Sequence, residues 1–268
     1  MKYMGSKLRI ANHIAQYINN IAFTEGISDY YEPFMGGCSV GEVVEVQNRN
    51  LSDINYHIVE LFKKVQEGMW EYEYVDRDKW HEIKADRHEN KKFPAWLTGW
   101  CGIACSFRGR YFEGFAFEYE DKTSGKMTNP QLQVYNSLCK ERTALLGINF
   151  SHRKYNEIGD VKGAIIYCDA PYRGTKQYTM VESFDFDAYD EWLIKMSKDN
   201  LVLISEYSMH GKYTDKFIQL DEWKLNKSIG AGQTDDESSI ERLYYVKDGW
   251  LTNKYFNKEN TEEDELDF

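Results

Sequence analysis

No stretch of the 268 residues approaches the roughly 20 consecutive apolar residues that span a bilayer, so a transmembrane helix is excluded. The opening Met1-Lys2-Tyr3-Met4-Gly5-Ser6-Lys7 lacks the apolar stretch of a secretory signal. A soluble, cytoplasmic protein with no membrane partner is expected. Cysteine is sparse: Cys38, Cys101, Cys105, Cys139 and Cys168 are odd in number and irregular in spacing. Cys101 and Cys105 have no second Cys/His pair to complete a tetrahedral zinc set. His57, His81, His88, His152 and His210 show no metal spacing either, so no metal is expected and the thiols should be reduced and mostly buried. Basic charge is scarce as well. Thirty-three Lys/Arg face 44 Asp/Glu, a net of −11, which argues against a nonspecific nucleic-acid coat. No internal repeat is apparent.

What is present is a large apolar and aromatic complement, 42% and 15% of the residues, enough for one α/β domain with a smaller insert. The charge is uneven. Residues 101–180 carry 11 Lys/Arg against 8 Asp/Glu, whereas residues 181–268 carry 10 against 21. The middle third alone could hold phosphate, although so small an excess is also ordinary scatter.

Residues 7–21 predict a helix, with Ile10, Ile14, Tyr17, Ile18 and Ile21 on one face. A short strand at 28–32 breaks at Pro33 and Gly36-Gly37. A helix is predicted from Ser39 as N-cap, with Val40, Val43 and Val44 inward. A strand at 50–52 and a helix at 55–66 follow. This order opens a doubly wound α/β sheet. Between 67 and 146 the aromatic, Gly-rich pieces Gly99-Trp100-Cys101-Gly102 and Ser106-Phe107-Arg108-Gly109-Arg110-Tyr111-Phe112 do not alternate as βαβ units. They read as an inserted subdomain. The α/β pattern returns with a strand at 164–168, a helix at 187–198, a strand at 201–205 and closing strands at 224–229 and 242–246. The catalytic domain is therefore expected to be discontinuous, 1–66 and 147–250, with an acidic tail from 251 to 268.

Two places carry chemistry. Tyr31-Glu32-Pro33-Phe34-Met35-Gly36-Gly37 lies where the first strand meets its helix, where glycines let backbone approach a ligand. A plain tight turn explains a Gly-Gly pair equally well. Asp53, 21 residues after Glu32, ends the second strand and could accept hydrogen bonds from a ribose diol. Together they indicate an adenosine-containing cofactor, without separating S-adenosylmethionine (AdoMet) from NAD. The strand ending in Tyr167-Cys168-Asp169-Ala170-Pro171-Tyr172 makes that separation. Methyl transfer to an exocyclic amine needs an acceptor for its protons and a flat surface for an extruded base. Asp169 and Tyr172 suit those tasks; the alternative is a simple Asp-Ala-Pro turn with a buried tyrosine.

Taken in order, Lys2 to Lys7, then Glu32 to Gly37, then Asp53-Ile54-Asn55, then the insert, then Asp169 to Tyr172 resembles the Dam-type, alpha-group DNA adenine-N6 methyltransferases. Ser106 to Phe112 resembles a phage-like branch. The resemblance covers residues 1–247 and implies a Rossmann-like AdoMet-dependent methyltransferase sheet with an inserted target-recognition subdomain. It implies that Tyr3, Lys7, Glu32, Phe34, Gly36, Gly37 and Asp53 line AdoMet. It gives the catalytic turn as Asp169, Ala170, Pro171 and Tyr172, with the Ala170 carbonyl and Asp169 receiving the amine and Tyr172 stacking on adenine. Arg108, Arg110 and Lys122 of the insert, with Arg173 and Lys176 after the turn, are the expected contacts to double-stranded DNA. The implied setting is a bacterial or phage-infected cell, with a cognate restriction endonuclease as a partner the resemblance admits and a monomer or weak dimer as the working form. One departure stands out: Ala170 replaces the first proline of the usual Asp-Pro-Pro-Tyr. Alanine keeps the backbone carbonyl, so activity is expected; a disabled AdoMet- and DNA-binding relative is the rival reading. Cytosine N4 and RNA are rival acceptors. An NAD-dependent oxidoreductase is disfavoured, since no His, Lys or Tyr proton donor accompanies the nucleotide motifs.

Overall fold

A computed structural model describes residues 6–89, 91–123, 125–173, 184–224 and 240–256. Helix α1 (Ala11–Glu25) begins later than its apolar periodicity suggests, because residues 7–10 form a turn closed by Ile10 and Ala11 N–H groups on the Lys7 carbonyl. It ends at Gly26, whose φ of 67° is the left-handed cap that glycine adopts without strain. Strand β1 (Asp29–Glu32) follows, then β2 (Asn48–Asp53) and α2 (Tyr56–Glu67), the last capped by Asn55, whose side chain accepts from the His57 N–H.

The helix expected from Ser39 does not form. Residues 39–43 are turns, Cys38 sits at φ 60°, and Val40 and Val44 are buried without a helical face. A side chain at Gly41 would meet Leu51 Cδ2 at 2.2 Å, so this loop lies directly against β2.

The middle segment contains α3 (Arg77–Asp86), α4 (Ala95–Ile103), the two-residue strands β3 (Tyr119–Glu120) and β4 (Met127–Thr128), and α5 (Pro130–Leu145). Helix α4 is made from Gly99-Trp100-Cys101-Gly102. A Cβ on Gly99 would lie 2.2 Å from the His57 carbonyl oxygen, so glycine allows α4 to lie against α2 at backbone distance. Trp80, Ile83, Trp100 and Leu138 of this segment join the same apolar cluster as α1, α2, β1 and β2.

Strands β5 (Asn149–His152), β6 (Ile165–Cys168) and β7 (Leu201–Glu206), helix α6 (Phe186–Met196), and strands β8 (Phe217–Lys224) and β9 (Ile240–Val246) complete the sheet. Of the strand expected at 224–229 only Lys224 is described, as the last residue of β8, and residues 225–229 lie outside the described residues. Strand order is β5-β2-β1-β6-β7-β9-β8, parallel except for β9, which runs antiparallel to both neighbours. Side chains alternate across the sheet. Ile165, Tyr167, Leu201 and Leu203 enter one core, while Ile166, Cys168, Val202 and Ile204 enter the other beside Tyr189, Leu193 and Met196 of α6. Each fully buried Ile or Leu contributes about 1.5–3 kcal/mol. This is a doubly wound, Rossmann-like sheet. A short helix α7 (Thr252–Tyr255) follows, and Leu251, Tyr255 and Phe256 pack on the core, so the stretch read as an acidic tail starts as packed structure.

No described helix is long and apolar enough to cross a membrane. The five thiols are unbridged, and four are buried.

Candidate active site

In a doubly wound sheet the chain leaves neighbouring strands in opposite directions at one point, and ligands bind in the crevice at the carboxyl ends there. Here that point lies between β1, which is followed outward by β2 and β5, and β6, which is followed by β7. The turn after β1 carries Phe34, Gly36 and Gly37; the turn after β6 carries Asp169 to Tyr172. Strand β2 ends in Asp53 at the same edge. The reversed strand β9 begins there, with Arg242 opposite Glu206 at the end of β7, and so presents Glu241 at that edge too.

The β1 turn is tied to β2 by two bonds. Met35 N–H donates to the Ser52 carbonyl at 3.0 Å, and Gly36 N–H donates to Asp53 Oδ2 at 3.0 Å. Asn55 N–H donates to Asp53 Oδ1 at 2.8 Å. Burial pushes the Asp53 carboxyl up, and these N–H donors pull it back. A carboxylate has about four acceptor positions, so the backbone donors leave Asp53 capacity for ribose hydroxyls. Phe34 stacks on Tyr155 at 5.5 Å and meets Tyr189 edge-on at 5.7 Å, an aromatic wall just past β5. Glu32 is placed differently. It is buried below the turn, accepts from the Tyr30 hydroxyl at 2.9 Å and is pushed well up by desolvation. It packs the loop around Gly41, so a direct cofactor contact is not what its surroundings offer.

Across the crevice, Lys7 Nζ lies 2.7 Å from Asp169 Oδ1 and 3.8 Å from Glu241 Oε2. The Tyr172 hydroxyl donates to Glu241 Oε2 at 2.5 Å, and Lys7 Nζ stands 4.7 Å from the Tyr172 ring centroid. Ser6 and Ser39 hydroxyls share a hydrogen bond of 2.7 Å, which fastens the N-terminal segment carrying Lys7 to the loop after β1. Ala170 is buried in the α6-side core. Lys7, Asp169 and Tyr172 are thus brought together as the motif order implies. Glu241 was missed by sequence reasoning. Its only signal was an acid next to Arg242 at the start of the closing strand.

Arg173 requires a correction. It is no phosphate contact: its guanidinium is buried against Asp190, donates to the His210 carbonyl at 3.2 Å and lies 3.9 Å from Glu206, whose Oε2 also accepts its backbone N–H at 3.1 Å. Two buried carboxylates draw it inward. In contrast, Arg108 and Arg110 are exposed on the 106–115 loop, which is anchored by Phe112 and Phe115 against Trp80. Lys122 is exposed on the β3–β4 hairpin. Tyr3 and Lys176 lie outside the described residues. Among the described residues no group of His, Cys, Asp or Glu is arranged to hold a metal ion.

The sheet order, with the two ligand-facing turns at its reversal point, defines a doubly wound α/β fold with a ligand crevice between β1 and β6. Residues 3–92 match the family model of the D12 class N6 adenine-specific DNA methyltransferase, which is the Dam-type family that the motifs resemble. The matched third contains Lys7, the Phe34–Gly37 turn and Asp53, and stops short of Asp169 to Tyr172. The match supports an adenine-specific DNA methyltransferase, and AdoMet is the methyl donor of that family. No curated protein matches the sequence. The rRNA methyltransferase aviRa from Streptomyces viridochromogenes has a similar structure at 11% identity, covering 89% of this chain and 84% of that one with a TM-score of 0.41. That likeness is too loose to bear on the substrate.

Asp53→Ala is expected to weaken AdoMet binding by about 1–3 kcal/mol, the loss of hydrogen bonds to a charged acceptor. Calorimetry on the two proteins measures it, and equal affinity would remove Asp53 from the cofactor site.

Proposed function

We propose that this protein is a site-specific DNA methyltransferase that methylates N6 of an adenine flipped out of duplex DNA. The observation that carries the reading is the convergence of Lys7, Asp169 and Tyr172 at the sheet's reversal point, across the crevice from Asp53. Lys7, Phe34, Gly36, Gly37 and Asp53 would hold AdoMet. When bound, AdoMet supplies an already activated methyl group. The residues here orient and desolvate the amine. Asp169 Oδ1 is taken by Lys7, so Oδ2 is the oxygen proposed to accept an N6–H, with the Ala170 carbonyl accepting the other. Two acceptors on the protons direct the nitrogen lone pair towards the cofactor side. The amine would not be deprotonated before attack: as the N–CH3 bond forms the S–CH3 bond would break, releasing the thioether S-adenosylhomocysteine, and one amine proton would leave towards Asp169 Oδ2 after or with that transfer. Tyr172 stacks on the base, a contact of about 1–3 kcal/mol. Ala170 retains the one group this turn needs at its position, a backbone carbonyl.

The test is transfer of labelled methyl from AdoMet into unmethylated duplex DNA, followed by mass analysis of the nucleosides. N6-methyladenine is the expected product. N4-methylcytosine, or label entering RNA only, would replace the reading. AdoMet and DNA binding without transfer would make the chain a disabled relative.

The exposed Arg108, Arg110 and Lys122 support an insert that follows the DNA backbone. Reversing the charge of Arg108 and Arg110 together is expected to weaken DNA binding and to lower the slope of log affinity against log salt by about two. AdoMet affinity should hold. An unchanged slope would leave the 106–115 loop as packing and move the DNA surface elsewhere.

A further inference from the structure

We propose that Glu241 is a positioning residue of the transfer site, fixing the ring of Tyr172 and the ammonium of Lys7. The inference rests on the reading above, in which Tyr172 meets the target base. Glu241 is the second residue of β9, and only a reversed strand can bring its first residues to the edge where the parallel strands end. Its side chain is 8% exposed, in a strand whose other buried positions are mostly apolar. A carboxylate so placed costs stability unless its oxygens are matched. Here Oε2 takes the Tyr172 hydroxyl at 2.5 Å and faces Lys7 Nζ at 3.8 Å.

The consequence for Tyr172 is geometric. A tyrosine ring turns about a broad, two-fold torsion, and a stacking surface is useful only when that torsion is set beforehand. Tyr172 is held at three points: its hydroxyl by Glu241, its ring by Tyr207 at 4.4 Å and 84°, and by the Lys7 ammonium at 4.7 Å. Glu241 is the common element, since it binds the hydroxyl and also attracts the ammonium that stands by the ring. For Lys7 the consequence is electrostatic. Asp169 and Glu241 share one cation, and that keeps two like charges tolerable in one pocket.

The test is a double-mutant cycle of Glu241→Ala and Tyr172→Phe, with Glu241→Gln as the conservative variant. On unmethylated plasmid DNA, Glu241→Ala is expected to lower kcat/KM by about tenfold, the effect of losing a hydrogen bond to a charged group. Glu241→Gln keeps an oxygen for the hydroxyl and should lose less. In the Tyr172→Phe background Glu241→Ala should cost markedly less than it does in the parent. Melting temperatures of the four cycle proteins give a readout that needs neither AdoMet nor turnover, and they should also be non-additive. Additive effects in both measurements would overturn the proposal. So would a lowered melting temperature with kcat/KM unchanged, which would make Glu241 a packing residue. A parent protein without transfer to DNA would instead remove the proposed function, while the thermal cycle would still judge the Glu241–Tyr172 contact.

Discussion

Asp169→Ala is expected to lower methyl transfer by about 100- to 1,000-fold, the magnitude for removing a preorganised group that acts where charge develops. AdoMet affinity should stay close to that of the parent. The separation follows from where the groups stand. The carboxylate of Asp169 lies on the β6 side of the crevice, bonded to Lys7, whereas Asp53 and the Phe34–Gly37 turn lie on the β1 and β2 side. Loss of Asp169 does not leave Lys7 without a carboxylate, because Glu241 is 3.8 Å away, so the pocket should persist. Single-turnover transfer to unmethylated DNA and calorimetry with AdoMet measure the two quantities. A variant that retains more than a tenth of the parent rate would take the amine off Asp169.

The parts of this site that were legible in the sequence are those encoded within one strand and its turn. Ile165 to Cys168 are fully buried on both faces, so the run had to be a central strand, and the residue after it had to emerge at the ligand edge. Asp53 was legible for a different reason, its place 21 residues after Glu32 at the end of a strand that is itself mostly polar. Where partners come from distant chain, the reading failed. Arg173 beside the candidate turn looked like a cation for phosphate, and nothing local indicated that Asp190 and Glu206 would enclose it. Glu241 is 69 residues from the tyrosine it binds. The loop after β1 misled for another reason. Val40, Val43 and Val44 have helical spacing, yet Cys38 takes a left-handed conformation and Gly41 lies against Leu51, so the valines are buried by a turn pressed on the sheet. In α4 the opposite occurred. Gly99 and Gly102 resembled loop residues, but they are the flat side of a helix lying on α2 and Tyr111.

Arg173→Leu is expected to destabilise the fold by about 3–5 kcal/mol, the cost of leaving buried charges without their partner. Asp190 and Glu206 have side chains 2% and 6% exposed, and Arg173 is itself 6% exposed, so little solvent is present to screen the loss. The deficit should depend on pH, with a sign that can be worked out. Burial pushes the Glu206 carboxyl up to about 7, against the opposing pull of Arg173. The folded state therefore keeps this proton to higher pH than the unfolded chain, and the resulting stability is complete below the ordinary carboxylate range and is lost as pH rises through about 7. Burial raises Asp190 as well, again against Arg173. Removing Arg173 takes away the pull that lowers both groups, so the variant must meet the full cost of ionising them. Denaturant unfolding should show a larger deficit at pH 8 than at pH 5.5. Replacing Asp190 and Glu206 together, as Asp190→Leu and Glu206→Gln, should recover much of the loss in the Arg173→Leu background, since an apolar substitute for a whole buried ion network is often neutral. The salt slope of DNA binding should be unchanged, in contrast to the Arg108 and Arg110 reversal. A slope that falls in Arg173→Leu with little change in stability would return this arginine to the DNA surface.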